Sequence, residues 1–336
     1  MLFTTTLQQV SILLTFIFIG YFFKKKNIIN DSGRKVLAAL LVNLFAPAYS
    51  IVSLSSTVSV ENISEYLILF LAGVFVSISV VFIAIPFAKL FAKEKFQQNI
   101  LKYAFAFGNI GYFGYPLVYG VFGEVARSQM IMFCLPMSIL IYSYGYHVLT
   151  ASTDNVLLVE TKKEKKSFFK KVSFLYNPPM IGAYIGITLG LLSSGLKFEV
   201  PKFFNDLVTV AGNCQSAPAM LITGAVLANV PLKKLFTSWK PYVIGLIRLI
   251  VFPLIFALLF AIIYLLGWRS QTFLQVAVIA IVAVGMPVGM NVVVYPESVG
   301  KDSTEGAKTC FISYVLALIV LPLIFSLTIN VLGITF

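Results

Sequence analysis

Phe107-Gly108-Asn109-Ile110-Gly111-Tyr112-Phe113-Gly114-Tyr115-Pro116 is an apolar stretch that cannot sustain one continuous helix. Glycine gives up the most backbone entropy on becoming helical, and proline lacks an N–H and clashes with the preceding turn. Three glycines and a proline fall within positions 108–116, so the helix is expected to unwind here. A second stretch, Gly285-Met286-Pro287-Val288-Gly289-Met290-Asn291, carries the same fault. Both breaks lie inside long apolar runs, and irregular backbone at membrane depth is tolerated only where protein buries it or where it lines a wet cavity.

The composition identifies lipid as the solvent of those runs. Of 336 residues 59% are hydrophobic and 11% charged, whereas a soluble domain carries about 25% charged residues. Ten runs of near-spanning length follow, near 5–23, 36–54, 66–88, 100–122 and 130–150, then near 178–196, 205–228, 242–267, 273–295 and 308–333. Transmembrane strands would show alternating segments of about ten residues, so an all-α membrane protein is expected. No Lys or Arg precedes Lys24, which removes the basic region of a secretory signal and leaves the first run as a retained helix. The net charge of +12 does not imply a nucleic-acid partner, because the basic residues sit between apolar runs. Cys134, Cys214 and Cys310 are odd in number and lie in apolar stretches, so no disulfide framework is implied.

Loop charge sets the orientation. The odd-numbered connections hold 20 of the 25 Lys and Arg residues and the even-numbered ones 4. Cytoplasmic loops are enriched in these residues, so the odd connections are assigned to the cytoplasm and both termini to the outside of the cell membrane. The polar segment 151–177, with Lys162, Lys163, Lys165, Lys166, Lys170 and Lys171, reads as a cytoplasmic linker between helices 1–5 (1–150) and helices 6–10 (178–336). Five spans per half make the second half enter from the opposite side, which is an inverted repeat. The halves echo one another: Asn43 precedes Ala46-Pro47-Ala48 and Asn213 precedes Ala217-Pro218-Ala219, while the fourth and ninth spans hold the two breaks.

Two interrupted helices at corresponding positions point to a transporter binding site, and half-helix N-termini favour anions. The expected substrate-binding set is Asn109, Gly111, Tyr112, Gly114, Pro116, Pro287, Gly289 and Asn291, with Asn43, Asn213 and Gln215 closing it from the second and seventh spans. Arg248, six residues into the eighth span, is open to three readings: snorkelling to the interface, pairing within the scaffold, or attraction of an anion. His147 fits either proton coupling or an interfacial position. No Asp or Glu falls in the core of a span, which disfavours a carboxylate proton relay. Neither HExxH nor a phosphate-binding G-x-x-x-x-G-K-[ST] string occurs, so no enzymatic role, metal, cofactor or ATP coupling is expected. Gly182, Gly186 and Gly190 repeat every four residues, the pattern of closely approaching membrane helices.

The string Asn109 to Leu117, with Phe122-Gly123 after it, resembles the fourth-helix motif of the auxin efflux carrier family. The likeness continues through Asn43 to Pro47, Asn177-Pro178-Pro179, Pro218 with Gly224, Phe252-Pro253, Pro287 to Asn291 and Leu321-Pro322. It implies ten helices in a fold like that of the bile-acid sodium symporters, with spans 1, 2, 6 and 7 as scaffold and spans 4 and 9 crossing at their breaks in a moving domain. The family includes plant auxin exporters and bacterial carriers of malate, malonate and similar acids. The short middle loop matches the prokaryotic branch, and the ninth span lacks the Glu that helps the symporters bind sodium. The expectation is therefore a secondary transporter of small organic anions, mono- or dicarboxylates, exporting electrogenically by elevator-like alternating access. The alternatives are an anion channel and a sodium- or proton-coupled organic-acid symporter. Expected partners are the anion, membrane lipid and a second copy held through the scaffold helices.

Overall fold

The computed structural model describes residues 2–150, 177–229, 231, 233, 236, 238–298 and 301–332. The linker expected at 151–177 lies outside the described residues except for Asn177. The described residues are helical throughout, apart from connections and a single isolated backbone bridge. In chain order the helices are α1 (Leu2–Lys25), α2 (Asp31–Ser55), α3 (Ile63–Phe91), α4 (Lys95–Ala106) and α5 (Ile110–Thr150). After the linker come α6 (Pro178–Leu196), α7 (Lys202–Asn213), α8 (Ser216–Leu227), α9 (Lys240–Leu265), α10 (Gln271–Val284), α11 (Asn291–Ser298) and α12 (Thr304–Leu332).

Among the described residues seven runs are long and apolar enough to cross a membrane: α1, α2, α3, α5, α6, α9 and α12. Their outward faces are apolar. On α12 Val315, Ile319, Leu323 and Leu327 are exposed at every fourth residue, and on α3 Leu67, Leu71, Phe75, Ile78 and Phe82 are exposed. A helix with an exposed apolar stripe and buried small residues behind it is solvated by lipid. At 41 residues α5 is too long for one crossing, since a straight helix of that length spans about 60 Å. Gly123, at φ 85° and ψ −167°, breaks it where the sequence places a connection.

Close approach of helices supplies the packing. A Cβ on Gly182 would lie 2.4 Å from the Pro47 carbonyl oxygen, and one on Gly190 2.4 Å from that of Val58, so α6 rests directly on the backbone of α2. The pair α1 and α8 is built the same way, with Gly20 against Leu221 and Gly224 against Ile17. Of the four wide π-helical turns among the described residues, Leu41–Phe45, Ile110–Gly114 and Ile247–Val251 each end two residues before a proline (Pro47, Pro116, Pro253), and Ile141–Gly145 does not. The proline ring displaces the carbonyl one turn back, and widening the turn absorbs the clash.

Candidate functional site: two broken segments and their cavity

Helix α4 stops at Ala106 and α5 starts at Ile110, while α10 stops at Val284 and α11 starts at Asn291. Between them the two irregular segments lie antiparallel, with Gly108 opposite Val288. The Asn109 N–H donates to the Pro287 carbonyl at 2.7 Å and the Gly289 N–H to the Phe107 carbonyl at 3.0 Å. The Val288 N–H donates to Ser313 Oγ on α12 at 3.0 Å. Each break thus supplies hydrogen bonds that the other lost by unwinding, which is how non-helical backbone survives in a dry interior. The unwound backbone at Gly111 to Pro116 and Pro287 to Gly289 is expected to supply donors to a ligand, and for Val288 and Gly289 that is corrected, because the protein itself takes up their N–H groups.

Side chains then converge. Asn109 Oδ1 accepts from the Tyr112 N–H at 3.3 Å, capping the start of α5, and its Nδ2 donates to Tyr314 Oη. Asn291 Nδ2 donates to Tyr295 Oη at 3.1 Å. Gln215, in the gap between α7 and α8, donates to the Gly111 carbonyl at 3.1 Å. Asn109, Gly111, Tyr112, Gln215 and Asn291 line a cavity of about 100 Å³ together with Ser50, Ser138, Tyr115, Tyr142 and Asn177, and among the described residues none of its lining side chains is charged. A wider cavity of about 750 Å³ shares Tyr112, Tyr142, Asn177, Met290 and Asn291 with it and extends to Asp31, Arg34 and Lys35 at the start of α2.

Of the residues expected from sequence, Asn109, Gly111, Tyr112, Gly289, Asn291 and Gln215 meet in the small cavity. Gly114 and Pro287 are buried beside it in packing: Gly114 faces Met130 and Met286, and Pro287 serves through its carbonyl. Pro116 sets the start of the straight part of α5 and does not line the cavity. Asn43 and Asn213 are exposed and outside it, and Asn43 Nδ2 is bound to its own helix at the Ala39 carbonyl, 2.8 Å away. His147 is exposed near the end of α5 and is not brought to the site. Ser50, Ser138, Tyr115 and Tyr142 were missed, because single hydroxyls in apolar helices carry no pattern; Asn177 had one signal, its place before the double proline.

Of the three readings open for Arg248, burial removes one. It does not snorkel: it is fully buried in the wide turn of α9. Its Nη1 donates to the Phe105 carbonyl at 2.5 Å and to that of Ala106 at 3.4 Å, and its Nε to the Met286 carbonyl at 3.2 Å. On another side of the cavity Arg127 of α5 donates to Ser53 of α2 at 3.1 Å, pairs with Glu124, and lies 4.3 Å and 4.6 Å over the Tyr49 and Tyr119 rings. Tyr49 stacks in turn on Tyr115, which lines the cavity.

A family model described as membrane transport protein matches residues 5–325 of the chain. The chain belongs to that family, the auxin efflux carriers. An uncharacterized transporter of Methanocaldococcus jannaschii is 26% identical to it over 322 residues, which is 94% of this chain and 97% of the relative. Seven crossing-length apolar helices make the chain a multi-pass membrane protein.

Proposed function

We propose that the chain is a secondary carrier of small organic anions, mono- or dicarboxylates, working by elevator-like alternating access in the cytoplasmic membrane. The observation that carries this reading is the pairing of the two broken segments beside a small polar cavity. Neutral donors such as the Asn109, Asn291 and Gln215 amides and the Tyr hydroxyls hold a carboxylate without the desolvation cost of a buried ion pair.

Ten crossings in two inverted halves complete the proposal. They are α1, α2, α3, broken α4 with the part of α5 before Gly123, the rest of α5, α6, α7 with α8, α9, α10 with α11, and α12. Exchange of spans 1 with 6 and 2 with 7 turns the α1–α8 contact into the α6–α2 contact, and both are close approaches at glycine. In this reading those four spans form the scaffold, and a homodimer through their outer faces leaves the moving domain free. In this reading the wider cavity, which reaches Arg34 and Lys35 of the first, basic connection, opens to the cytoplasm. The Arg127 cluster closes the outer side. In the same reading both termini lie outside, as the loop charges suggest.

The test is a thermal-shift screen of purified carrier against mono- and dicarboxylates, followed by counterflow in proteoliposomes. A selective acid that raises the melting temperature and drives counterflow of its labelled form is the expected result. Single-channel currents without counterflow would make the protein a channel. Binding that requires sodium or a proton would make it a coupled symporter.

A further inference from the structure

The four helix ends at the broken segments are electrostatically balanced by themselves. Each helix terminus carries about half an elementary charge, positive at the N-terminus and negative at the C-terminus. Here α5 and α11 begin and α4 and α10 end, so two positive and two negative ends cancel. An anion gains from them only by lying nearer the two N-terminal ends, whose Asn109 and Asn291 line the cavity.

Arg248 breaks that balance. Its guanidinium donates to the Phe105 and Ala106 carbonyls at the end of α4 and to the Met286 carbonyl just beyond the end of α10. One guanidinium therefore covers both negative ends. Its remaining nitrogen, Nη2, is buried without a partner and lies against Gly108, where a Cβ would stand 2.7 Å from it. Gly108 lines the small cavity, so Nη2 sits directly behind the cavity wall. The other fully or nearly buried arginine, Arg127, is paired with Glu124, whereas Arg248 has no carboxylate partner among the described ion pairs.

We infer that Arg248 is the fixed cation of the substrate site. By capping the C-terminal ends of both half-helices it leaves the two N-terminal ends dominant, and a carboxylate in the cavity meets about one net positive charge. It is a positioning residue that acts across Gly108, without itself lining the cavity, and it takes the place that a dissolved cation would otherwise fill on those carbonyls. Anion binding then needs no added metal cation. This inference rests on the cavity being the substrate site.

The probes are malonamide, malonamate and malonate, one skeleton carrying zero, one and two negative charges at neutral pH. Apparent affinities are read from thermal shift in a buffer free of alkali cations. Wild type is expected to favour malonamate over malonamide by about 30-fold, the Coulomb effect of unit charges roughly 8 Å apart at an effective dielectric near 20. Arg248→Met should abolish that preference while leaving malonamide binding in place, and guanidinium chloride at low concentration should restore part of it. Arg248→Lys keeps a charge but not the fork, so it should melt lower yet retain most of the preference, and it carries the test if Arg248→Met does not fold. Equal wild-type binding of malonamate and malonamide, or an unchanged preference in Arg248→Met, overturns the inference. So does a folded Arg248→Lys without the preference. If instead Asn109→Ala and Asn291→Ala leave malonamate binding intact, it is the site reading that fails.

Discussion

Asn109 does two jobs with one amide, since its oxygen caps the start of α5 and its nitrogen reaches Tyr314 on α12. Removing a buried hydrogen bond to a charged group costs about 1.5–3 kcal/mol, which is roughly 10- to 150-fold in affinity. Asn109→Ala is accordingly expected to weaken carboxylate binding by that factor, and Asn291→Ala by a similar one, as read by titrated thermal shift. Asn109→Ala should also lower the melting temperature, because a lost N-cap costs about 1 kcal/mol. The exposed Lys95→Ala serves as control and should change neither quantity. Both asparagines were legible as candidates from their sequence context. Asn43 and Asn213 had the same context, beside Ala-Pro-Ala, and stand outside the cavity. An amide in an apolar run must find a partner, and for Asn43 the Ala39 carbonyl of its own helix is enough.

At the scale of the element, glycines separate into those that permit contact and those that border space. Gly182 faces the Pro47 carbonyl, so Gly182→Leu would drive α6 off α2. Overpacking costs about 1–3 kcal/mol, and here the obstacle is backbone, which cannot rotate aside. The expected result is a lower melting temperature and loss of monodisperse protein in detergent. Nothing lies within 4 Å of a Cβ on Gly111, so Gly111→Ala should fold normally. Its added methyl enters the cavity, and an effect on affinity without one on stability is the outcome to look for. The four-residue glycine repeat foretold a contact face on α6, and the structure names the partner as α2. The prolines foretold broken or bent helices, but that three of them resolve as wide π turns was not legible, because turn width depends on what packs around the freed carbonyl.

For the whole molecule, topology and access are the properties to test. In a variant without native thiols, Glu61→Cys should be labelled from outside in intact cells, and Glu94→Cys only after permeabilisation. Equal labelling of the two would overturn the loop assignment. Arg127 joins α5 to α2 across the outer closure, so Arg127→Gln should increase labelling of a cysteine at Ser50 by an impermeant reagent applied outside. Net flux of an uncompensated anion should respond to potential, since about 2.3 kcal/mol acts on each charge at 100 mV. Proteoliposome efflux is expected to rise with an imposed interior-negative potential, and insensitivity would favour a proton-coupled cycle.

Sequence by itself determined the solvent, the class and the positions of both breaks. These follow from local facts: hydrophobicity summed over a span, the missing N–H of proline, the entropy of glycine. It also determined family membership, which the family match over residues 5–325 bears out. Only the tertiary structure decided which polar groups meet. Gly108 and Val288 are 180 positions apart in the chain, and no local signal says that they lie opposite each other with their neighbours exchanging hydrogen bonds. The same holds for Arg248. From sequence it is one cation about 9 Å from a membrane surface, free to reach water. In the fold the carbonyl ends of two half-helices lie closer than water does, and three hydrogen bonds hold the guanidinium inside.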